Sequence, residues 1–597
     1  MKRLVFDIET NGLLDQLSVI HCICTHDLDS GTSDLFGPDD IDAGLDQLSE
    51  ADELIGHNII GFDVPAILKL YPEFICKKLT DTLLISRVMY PDLFDKDMGY
   101  TVRNNPDYPP QLRGSHGLKA WGLRLGEWKG DYGETMGNPW LEYTEEMGEY
   151  CEQDVVVSTH LYQRLMSKKP SPQSIQLEHD VALIIRRQEE YGFAFDTKRA
   201  VELYGLLSGK HDDLRRSLAS VFPPWTVKTP FTPKRDNKTL GYKKGVTIDK
   251  CKEVEFNPDS RDHIAQKLIE RYGWKPTTFT KEGRAKIDET VLSGLEYPEA
   301  KLLSEYLMLT KRLGQISAGP QAWLKVEKAG RIFGKVNTNG AVTGRMTHSK
   351  PNVAQVPSGT ALYGPECRAL FTATPGKVLV GCDADGLEAR CLAGYMRDKK
   401  FIEMILKGNK DEGSDLHTHN SRVLGCSRDV AKTFLYAFLY GAGVAKLGSI
   451  LSVGPAKGRQ ARDRFLKGLP ALLNLTAQVQ RTASARGYLR GLDGRRLPIR
   501  SEHSALNTLL QSAGAIIMKR ALVLLDEDLQ HQQYVPGVDY EFVANVHDEW
   551  QIECKEGYEH DIGQRACKAM EEAGTYYDFG CPLAGNYATG NTWADTH

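Results

Sequence analysis

The chain opens on three consecutive apolar residues, Leu4-Val5-Phe6, closed by Asp7, and a run this short bounded by charge predicts a buried strand. His21-Cys22-Ile23-Cys24 and Glu53-Leu54-Ile55-Gly56 predict two more. Apolar residues then recur three and four apart at 64–70, at 82–89 behind a cap at Thr80 or Asp81, and at 145–166, which predicts helices. Strands mixed with helices indicate an α/β domain over residues 1–165, and Lys168-Lys169-Pro170-Ser171-Pro172 punctuates its end. From 175 to 218 the spacing is helical, broken by the turn segment 192–196. Residues 226–252 hold eight Lys and Arg against two acids, with two prolines and little apolar content, and predict an exposed basic loop or small appendage. Helices return at 261–270 and 297–315. Val378 to Asp383 predicts a buried strand feeding a helix at 387–396, strong helices follow at 428–440 and 504–525, and 541–553 alternates like a hairpin around His547-Asp548-Glu549. There is no internal repeat.

A chain of 597 residues has room for about four domains. Its 41% apolar and 26% charged residues exclude a disordered chain and a membrane protein. The start turns acidic after three apolar residues, too short for a signal-peptide core, and the apolar stretch 513–525 is broken by Lys519-Arg520, so no spanning helix is expected. A soluble cytoplasmic protein is the expectation, and twelve cysteines without a CxxC pair fit thiols of a reducing compartment. The net charge of −5 hides an asymmetry: residues 1–165 carry 13 basic and 29 acidic residues, the remainder 61 and 50. A basic larger part suits a polyanion, and an acidic smaller part gathers metal ions.

Asp7-Ile8-Glu9 closes the first strand, so with a side-chain period of two both carboxylates face one side. Adjacent carboxylates repel unless a cation lies between them, and hard oxygen ligands select Mg²⁺ or Mn²⁺. Asp63 ends His57-Asn58-Ile59-Ile60-Gly61-Phe62-Asp63 after another strand, and Tyr150 with Asp154 is an i,i+4 pair on one helix face. Two divalent ions about 4 Å apart can activate water and stabilise the leaving oxygen of a phosphodiester, and the Tyr150 hydroxyl can orient that water. Singly, Asp7 reads as a solvated turn residue and Asp154 as part of a helix-face charge pattern. The ordered set is far more specific and resembles the DEDD 3′-5′ exonucleases in the form with Tyr in the last motif. That implies an RNase H-like fold with Asp7, Glu9, Asp63 and Asp154 as ligands of two Mg²⁺ ions.

Asp383, at the end of a buried strand, and Asp548, in a hairpin turn, can meet only through tertiary folding, where they would clamp two metals across an incoming triphosphate. Arg428, Lys432, Tyr436 and Tyr440 are spaced by four and line one helix face, drifting about 40° per step. The guanidinium and ammonium suit phosphates; the phenol rings further along suit a base and a sugar. Such a face also fits an ordinary amphipathic helix. What separates the two readings is order: Asp383-Ala384-Asp385-Gly386-Leu387-Glu388, then Arg428-x3-Lys432-x7-Tyr440-Gly441, then Val546-His547-Asp548-Glu549.

These resemble motifs A, B and C of the family A, Pol I-type DNA polymerases, and Thr343-Gly344-Arg345 with 352–357 resembles the element preceding motif A. The resemblance covers nearly the whole chain and is closest to the replicative polymerases of T-odd, short-tailed phages (podoviruses), carried by Gly114-Ser115-His116-Gly117-Leu118-Lys119-Ala120-Trp121-Gly122, Asn257-Pro258-Asp259-Ser260-Arg261-Asp262-His263-Ile264, Asp415-Leu416-His417-Thr418 and 506–514. It implies multidomain α/β and α+β architecture: the exonuclease (1–165), a thumb region (175–330) with the short basic insertion 226–252, palm (331–395), fingers (396–480), and palm with the C-terminus (481–597).

By the same resemblance Asp383 and Asp548 hold two Mg²⁺ ions with the Ala384 carbonyl, Mn²⁺ being an alternative, and Glu549 supports them. His417, Arg428 and Lys432 grip the triphosphate of a dNTP, and Lys432 protonates the leaving pyrophosphate. Tyr436 faces the nucleotide, while Glu388 and Tyr440 pack where a ribose 2′-hydroxyl would sit. Arg345, Gln511 and His547 reach the minor groove of primer-template DNA near the primer end, where acceptors common to all correct pairs allow a geometry check. A helicase-primase partner is implied. In the phage subgroup a much longer thumb insertion docks host thioredoxin; here the short stretch leaves room for its own basic residues, Lys234, Arg235, Lys243 and Lys244, to hold DNA without thioredoxin. A DNA polymerase with proofreading is thus expected. Glu388 and the exonuclease argue against a single-subunit RNA polymerase, and the full set of carboxylates argues against a replisome scaffold with only the exonuclease active.

Overall fold

Leu4, Val5 and Phe6 sit at the centre of a five-stranded sheet whose order is Ser33–Phe36, Ile20–Asp27, Arg3–Thr10, Glu53–Gly56, Leu79–Asp81. The first strand runs antiparallel to Ile20–Asp27 and parallel to Glu53–Gly56. Its alternation fills two cores, as a sheet covered on both faces requires. Leu4, Phe6 and Ile8 pack with Leu48, Leu54 and Ile67, whereas Val5 packs with Cys22, Cys24 and Ile55 under Met147, Cys151 and Val155 of the helix Glu145–Met166. Asp7 and Glu9 share the parity of Val5 and so open toward that helix.

The computed structural model describes residues 1–127, 130, 132–134 and 138–597. They form two units, one of 1–192, 334–354 and 373–597, the other of 193–333 and 355–372. Two boundaries differ from the sequence reading. The helix Pro172–Tyr191, grouped there largely with the thumb, belongs to the first unit because its charged side chains are spent there. Glu178 meets both Lys519 and Arg495, and Arg187 meets Asp526 and Glu541. Residues 355–372, read as palm, belong to the second unit, where the Phe371 ring packs on Phe193, Phe195 and Trp323.

In the second unit the helices Thr197–Val221 and Pro298–Leu313 lie side by side over a core of Leu218, Phe222, Ile264, Leu268, Leu303 and Tyr306. Of the two readings for the basic stretch 226–252, the structure shows the small appendage. Trp225–Phe231 and Ile248–Val254 pair as an antiparallel ribbon. Its strands carry Thr226, Val227, Thr229 and Ile248, which suit extended chain, and Lys250 Nζ lies 3.8 Å from the Phe231 ring centroid across the pair. Because most side chains on both faces of the ribbon are exposed, no apolar alternation marks it in the sequence.

The first unit's second sheet is antiparallel throughout, in the order Tyr540–Val546, Glu549–Lys555, Lys377–Ala384, Gly585–Gly590. Val380, Cys382, Trp550 and Ile552 share a core with Ile516, Ile517, Ala521 and Leu525 of the helix Ala505–His531. That helix is long and apolar enough to cross a bilayer, but 89% of its most apolar window is buried inside the protein. Lys519 is buried with it and survives there because Glu178 is its partner. Burial still pulls the Lys519 ammonium down to about 8, and Arg495, which shares the same carboxylate, adds repulsion. Burial also opposes the charge on Glu178, yet the two cations hold its carboxyl below the usual range.

Removing one member of a buried ion cluster strands the others. Lys519→Ala is therefore expected to destabilise the protein by ~3–5 kcal/mol, read as the urea midpoint with unchanged slope. Lys519→Met combined with Glu178→Met should lose less than the sum of the two single changes.

Candidate functional site

In the N-terminal sheet, ligand-capable atoms of Asp7, Glu9 and Cys151 lie within 4.8 Å of one another. Asp63 begins the helix Asp63–Leu70, and the Ile8 main chain, between Asp7 and Glu9, works to lower its carboxyl. Burial pushes the Asp63 carboxyl up to about 7, with Asp81 and Asp154 adding repulsion. Asp154 is itself buried on the helix Glu145–Met166, one turn after Tyr150. The Tyr150 ring lies 5.7 Å from Tyr132 and 6.1 Å from Trp140, in an aromatic cluster. The structure thus brings Asp7 and Glu9 together and sets Asp63 near enough to Asp154 for the two to repel, with Tyr150 one turn before Asp154 on its helix.

Two members escaped the sequence reading. The Cys151 thiol donates to the Asp7 carbonyl at 3.5 Å. A hydrogen bond with Cys22 and burial hold it well above the ordinary thiol range, so it stays protonated beside the acids. Asp81 appeared in the sequence only as a cap, and it does accept from Leu83 N. Its carboxylate also accepts from the N–H groups of Asn58 and Ile60, in the loop that delivers Asp63.

In the second sheet, register brings the other pair together. Asp383 lies opposite Glu549 in the ladder, and the Ala384 N–H donates to the Asp548 carbonyl at 3.1 Å. His547 takes a φ of 59° in the hairpin turn, a left-handed conformation uncommon without glycine. Burial pushes the Asp383 carboxyl up to about 7, with Asp548, Glu549, Asp385 and Glu388 adding repulsion, and Asp548 is raised by burial and Glu388. Glu549 is occupied differently: Gln551 and Trp593 donate to one oxygen, and His597 Nδ1 lies 3.1 Å from the other.

The helix Arg428–Leu439 buries Ala431, Phe434, Leu435 and Leu439, which turns Arg428, Lys432 and Tyr436 to the opposite side. Tyr440 follows at its C-cap, where its hydroxyl donates to Glu388 at 2.6 Å; Arg345 lies 3.7 Å from the same carboxylate. Burial first, then Glu388 and Asp548, raise the Tyr436 phenol. Asp415 organises the other end of this face. It caps the helix Leu416–Leu424 through the His417 and Thr418 N–H groups and holds Arg428 at 3.0 Å. Burial works against its charge, but Arg428, Thr418 and the capped N–H groups overcome that and keep the carboxyl well below the usual range. The His417 ring lies 6.1 Å from Tyr436 and is pulled down by burial and by Arg428.

Arg345 and His547 line one small cavity with Ala515 and Met518, and Gln511 lies one turn before Ala515 on the same helix. Lys234, Arg235, Lys243 and Lys244 lie exposed between the two strands of the ribbon, in the second unit.

An antiparallel sheet with two carboxylates at its strand ends, faced by a helix bearing phosphate-sized and base-sized side chains, is the architecture of a nucleotidyltransferase. The model of DNA polymerase family A matches residues 241–595. The DNA-directed DNA polymerases of Enterobacteria phage T3 and Escherichia phage T7 are each 35% identical over 712 aligned positions, covering the whole of this chain and of theirs. Those 712 positions against 597 residues leave at least 115 positions of either relative without a counterpart here. A solved structure described as the POL domain of Pol1 from M. smegmatis in complex with DNA primer-template and dNTP shares the fold, with a TM-score of 0.74 at 19% identity over 99% of this chain and 95% of that one. The chain belongs to DNA polymerase family A, and its activity is DNA-directed DNA synthesis. The RNA polymerase reading is thereby set aside, and membership implies dependence on a divalent metal.

The raised Asp383 carboxyl carries a sign that can be checked without substrate. Its folded value of about 7 exceeds the unfolded one, so it costs stability as pH rises from 4 toward 7 and in full above. In EDTA, Asp383→Asn should raise the melting temperature by a few degrees at pH 8 and leave it unchanged at pH 4. No gain at pH 8 would contradict the electrostatic account.

Proposed function

We propose that the chain replicates DNA by Mg²⁺-dependent nucleotidyl transfer at the second sheet and proofreads by 3′-5′ exonucleolysis at the first. One observation carries the reading: beside each sheet carboxylates gather in a buried place, where burial first and the neighbouring acids after it push Asp63 or Asp383 up to about 7. Like charges crowded so closely in one buried place suit divalent cations held by oxygen ligands. Asp383, Asp548 and the Ala384 carbonyl would hold two ions, and Asp7, Glu9, Asp63 and Asp154 two more. When bound, such ions polarise phosphate oxygens and lower the pKa of water or of a 3′-hydroxyl.

The remaining chemistry belongs to the chain. Arg428, oriented by Asp415, grips the triphosphate with His417 and Lys432, and Lys432 supplies the proton to departing pyrophosphate. Tyr436 faces the incoming base and sugar. The Glu388–Tyr440 hydrogen bond fills the space a ribose 2′-hydroxyl would need, selecting dNTPs by sterics and desolvation. Arg345, Gln511 and His547 read the minor groove of primer-template DNA, while Glu549 buttresses the carboxylate pair. At the other site Tyr150 orients the attacking water. Residues 334–354 and 373–395 with 481–597 act as palm, 396–480 as fingers, and 193–333 with 355–372 as thumb. The protein works in the host cytoplasm beside a helicase-primase.

Because the two carboxylate sets lie on different sheets, the activities should separate. Asp383→Ala or Asp548→Ala is expected to abolish primer extension while leaving degradation of single strands within about twofold. Asp7→Ala with Glu9→Ala should do the reverse. Loss of both activities from Asp7→Ala in a folded protein would overturn the division.

The ribbon around 226–252 supports a second expectation. Its exposed apolar side chains are few, Val227, Leu240 and Val246, whereas a stable protein interface buries at least ~1,000 Å². Its cations can instead displace counterions from DNA phosphates. Neutralising Lys234, Arg235, Lys243 and Lys244 should weaken primer-template binding and shorten the product made per binding event, more steeply as salt rises. A large gain in product length on adding thioredoxin, or undiminished DNA affinity in the neutralised variant, would refute it.

A further inference from the structure

We infer that His179, on the helix Pro172–Tyr191 outside the N-terminal sheet, is a positioning residue for the exonuclease: it holds the main chain at Asp81, whose carboxylate holds the loop that delivers Asp63. The inference rests on the exonuclease reading above.

His179 Nδ1 lies 2.8 Å from the Ile175 carbonyl, which can only accept, so Nδ1 carries the proton. Nε2 then presents its lone pair and accepts the Asp81 N–H at 2.7 Å. A main-chain N–H can only donate, so one neutral tautomer satisfies both contacts. With His179 6% exposed, water is a poor substitute for that acceptor. Fixed in this way, Asp81 accepts from Asn58 N at 2.9 Å, Ile60 N at 3.2 Å and Leu83 N at 2.9 Å.

The loop needs holding. Asn58 sits at φ 69°, a conformation that persists only when its surroundings over-determine it. A Cβ at Gly61 would come within 2.4 Å of Asn58 Oδ1, so the loop folds tightly back on itself before Asp63. The other end of the support is equally firm, because the neighbouring Glu178 is locked to Lys519 and Arg495. His179 therefore ties Asp63 to the core of the polymerase sheet without approaching Asp383 or Asp548.

The test uses the full chain with His179→Leu, His179→Gln and His179→Asn. Three quantities are measured: kcat and KM for single-strand degradation, primer extension, and amide hydrogen exchange across 57–63 by mass spectrometry. In His179→Leu the degradation kcat should fall at least about tenfold with KM and extension within about twofold, and exchange across 57–63 should quicken about tenfold. His179→Gln, whose amide oxygen reaches the Nε2 position, should recover kcat to within about threefold and restore slow exchange; His179→Asn, which is too short, should behave as the leucine variant does. Unchanged kcat and exchange in His179→Leu, or a glutamine variant no better than asparagine, would overturn the inference. If melting shows the leucine variant unfolded, the glutamine and asparagine pair decides. Should the parent degrade no single strands, the exonuclease reading fails, and exchange across 57–63 still decides whether His179 holds the loop.

Discussion

Repulsion between carboxylates is the force that both sites of this polymerase must resist, and much of the architecture around them can be understood as the means of resisting it. Asp383 cannot move away from Asp548 because its strand is paired on both sides, with Glu549–Lys555 and with Gly585–Gly590. Asp7 and Glu9 are held on one side by pairing with Cys24 and Cys22 of Ile20–Asp27, while the same strand is anchored to Glu53–Gly56 through Arg3, Leu4 and Val5. A backbone ladder distributes the strain over many hydrogen bonds, none of which involves the acidic side chains. Substitutions that stabilise the protein and disable it are therefore expected at the same few positions.

Strand pairing fixes carboxylates within each sheet but says nothing between sheets, and here the helix Pro172–Tyr191 is decisive. Within three turns it touches Asp81 through His179, the helix Ala505–His531 through Glu178, and Asn545 through Gln188 at 2.6 Å. Asn545 lies three residues before Asp548 on the strand that enters the turn. Buried charge is a costly material for such a connector. Its virtue is direction: Glu178 meets two cations from separate elements, which leaves the helix little rotational freedom.

How far all this can be read from sequence depends on the range of the interaction. Asp7 and Glu9 were legible because a period of two needs only the strand itself, and the Arg428 face because a period of 3.6 needs only the helix. Asp383 and Asp548 meet through a register spanning 165 positions, which local pattern cannot supply; the order of motifs placed them by resemblance. The ribbon at 225–254 was invisible as strands because most side chains on its two faces meet water. The boundary near 193 was missed because the Pro172–Tyr191 helix has the same apolar spacing as the one after it, and what assigns it is the destination of Glu178 and Arg187. His179 left no signal, since a lone histidine on a helix is ordinary until its acceptor role is seen.

The acids around the polymerase site also divide by what already occupies them. Glu388 receives the Tyr440 hydroxyl and lies beside Arg345, and Glu549 is engaged by Gln551, Trp593 and His597. Their charge is shared with hydrogen-bond donors on the protein. Asp383 and Asp548 respond to the same neighbourhood by a rise in pKa, as groups whose compensation comes from elsewhere must. The donor pattern thus sets Glu388 and Glu549, engaged by protein donors, apart from Asp383 and Asp548, whose carboxyls rise. Under the proposed function that sorting would let Glu388 stand beside Asp548 and face the sugar without competing for the ions.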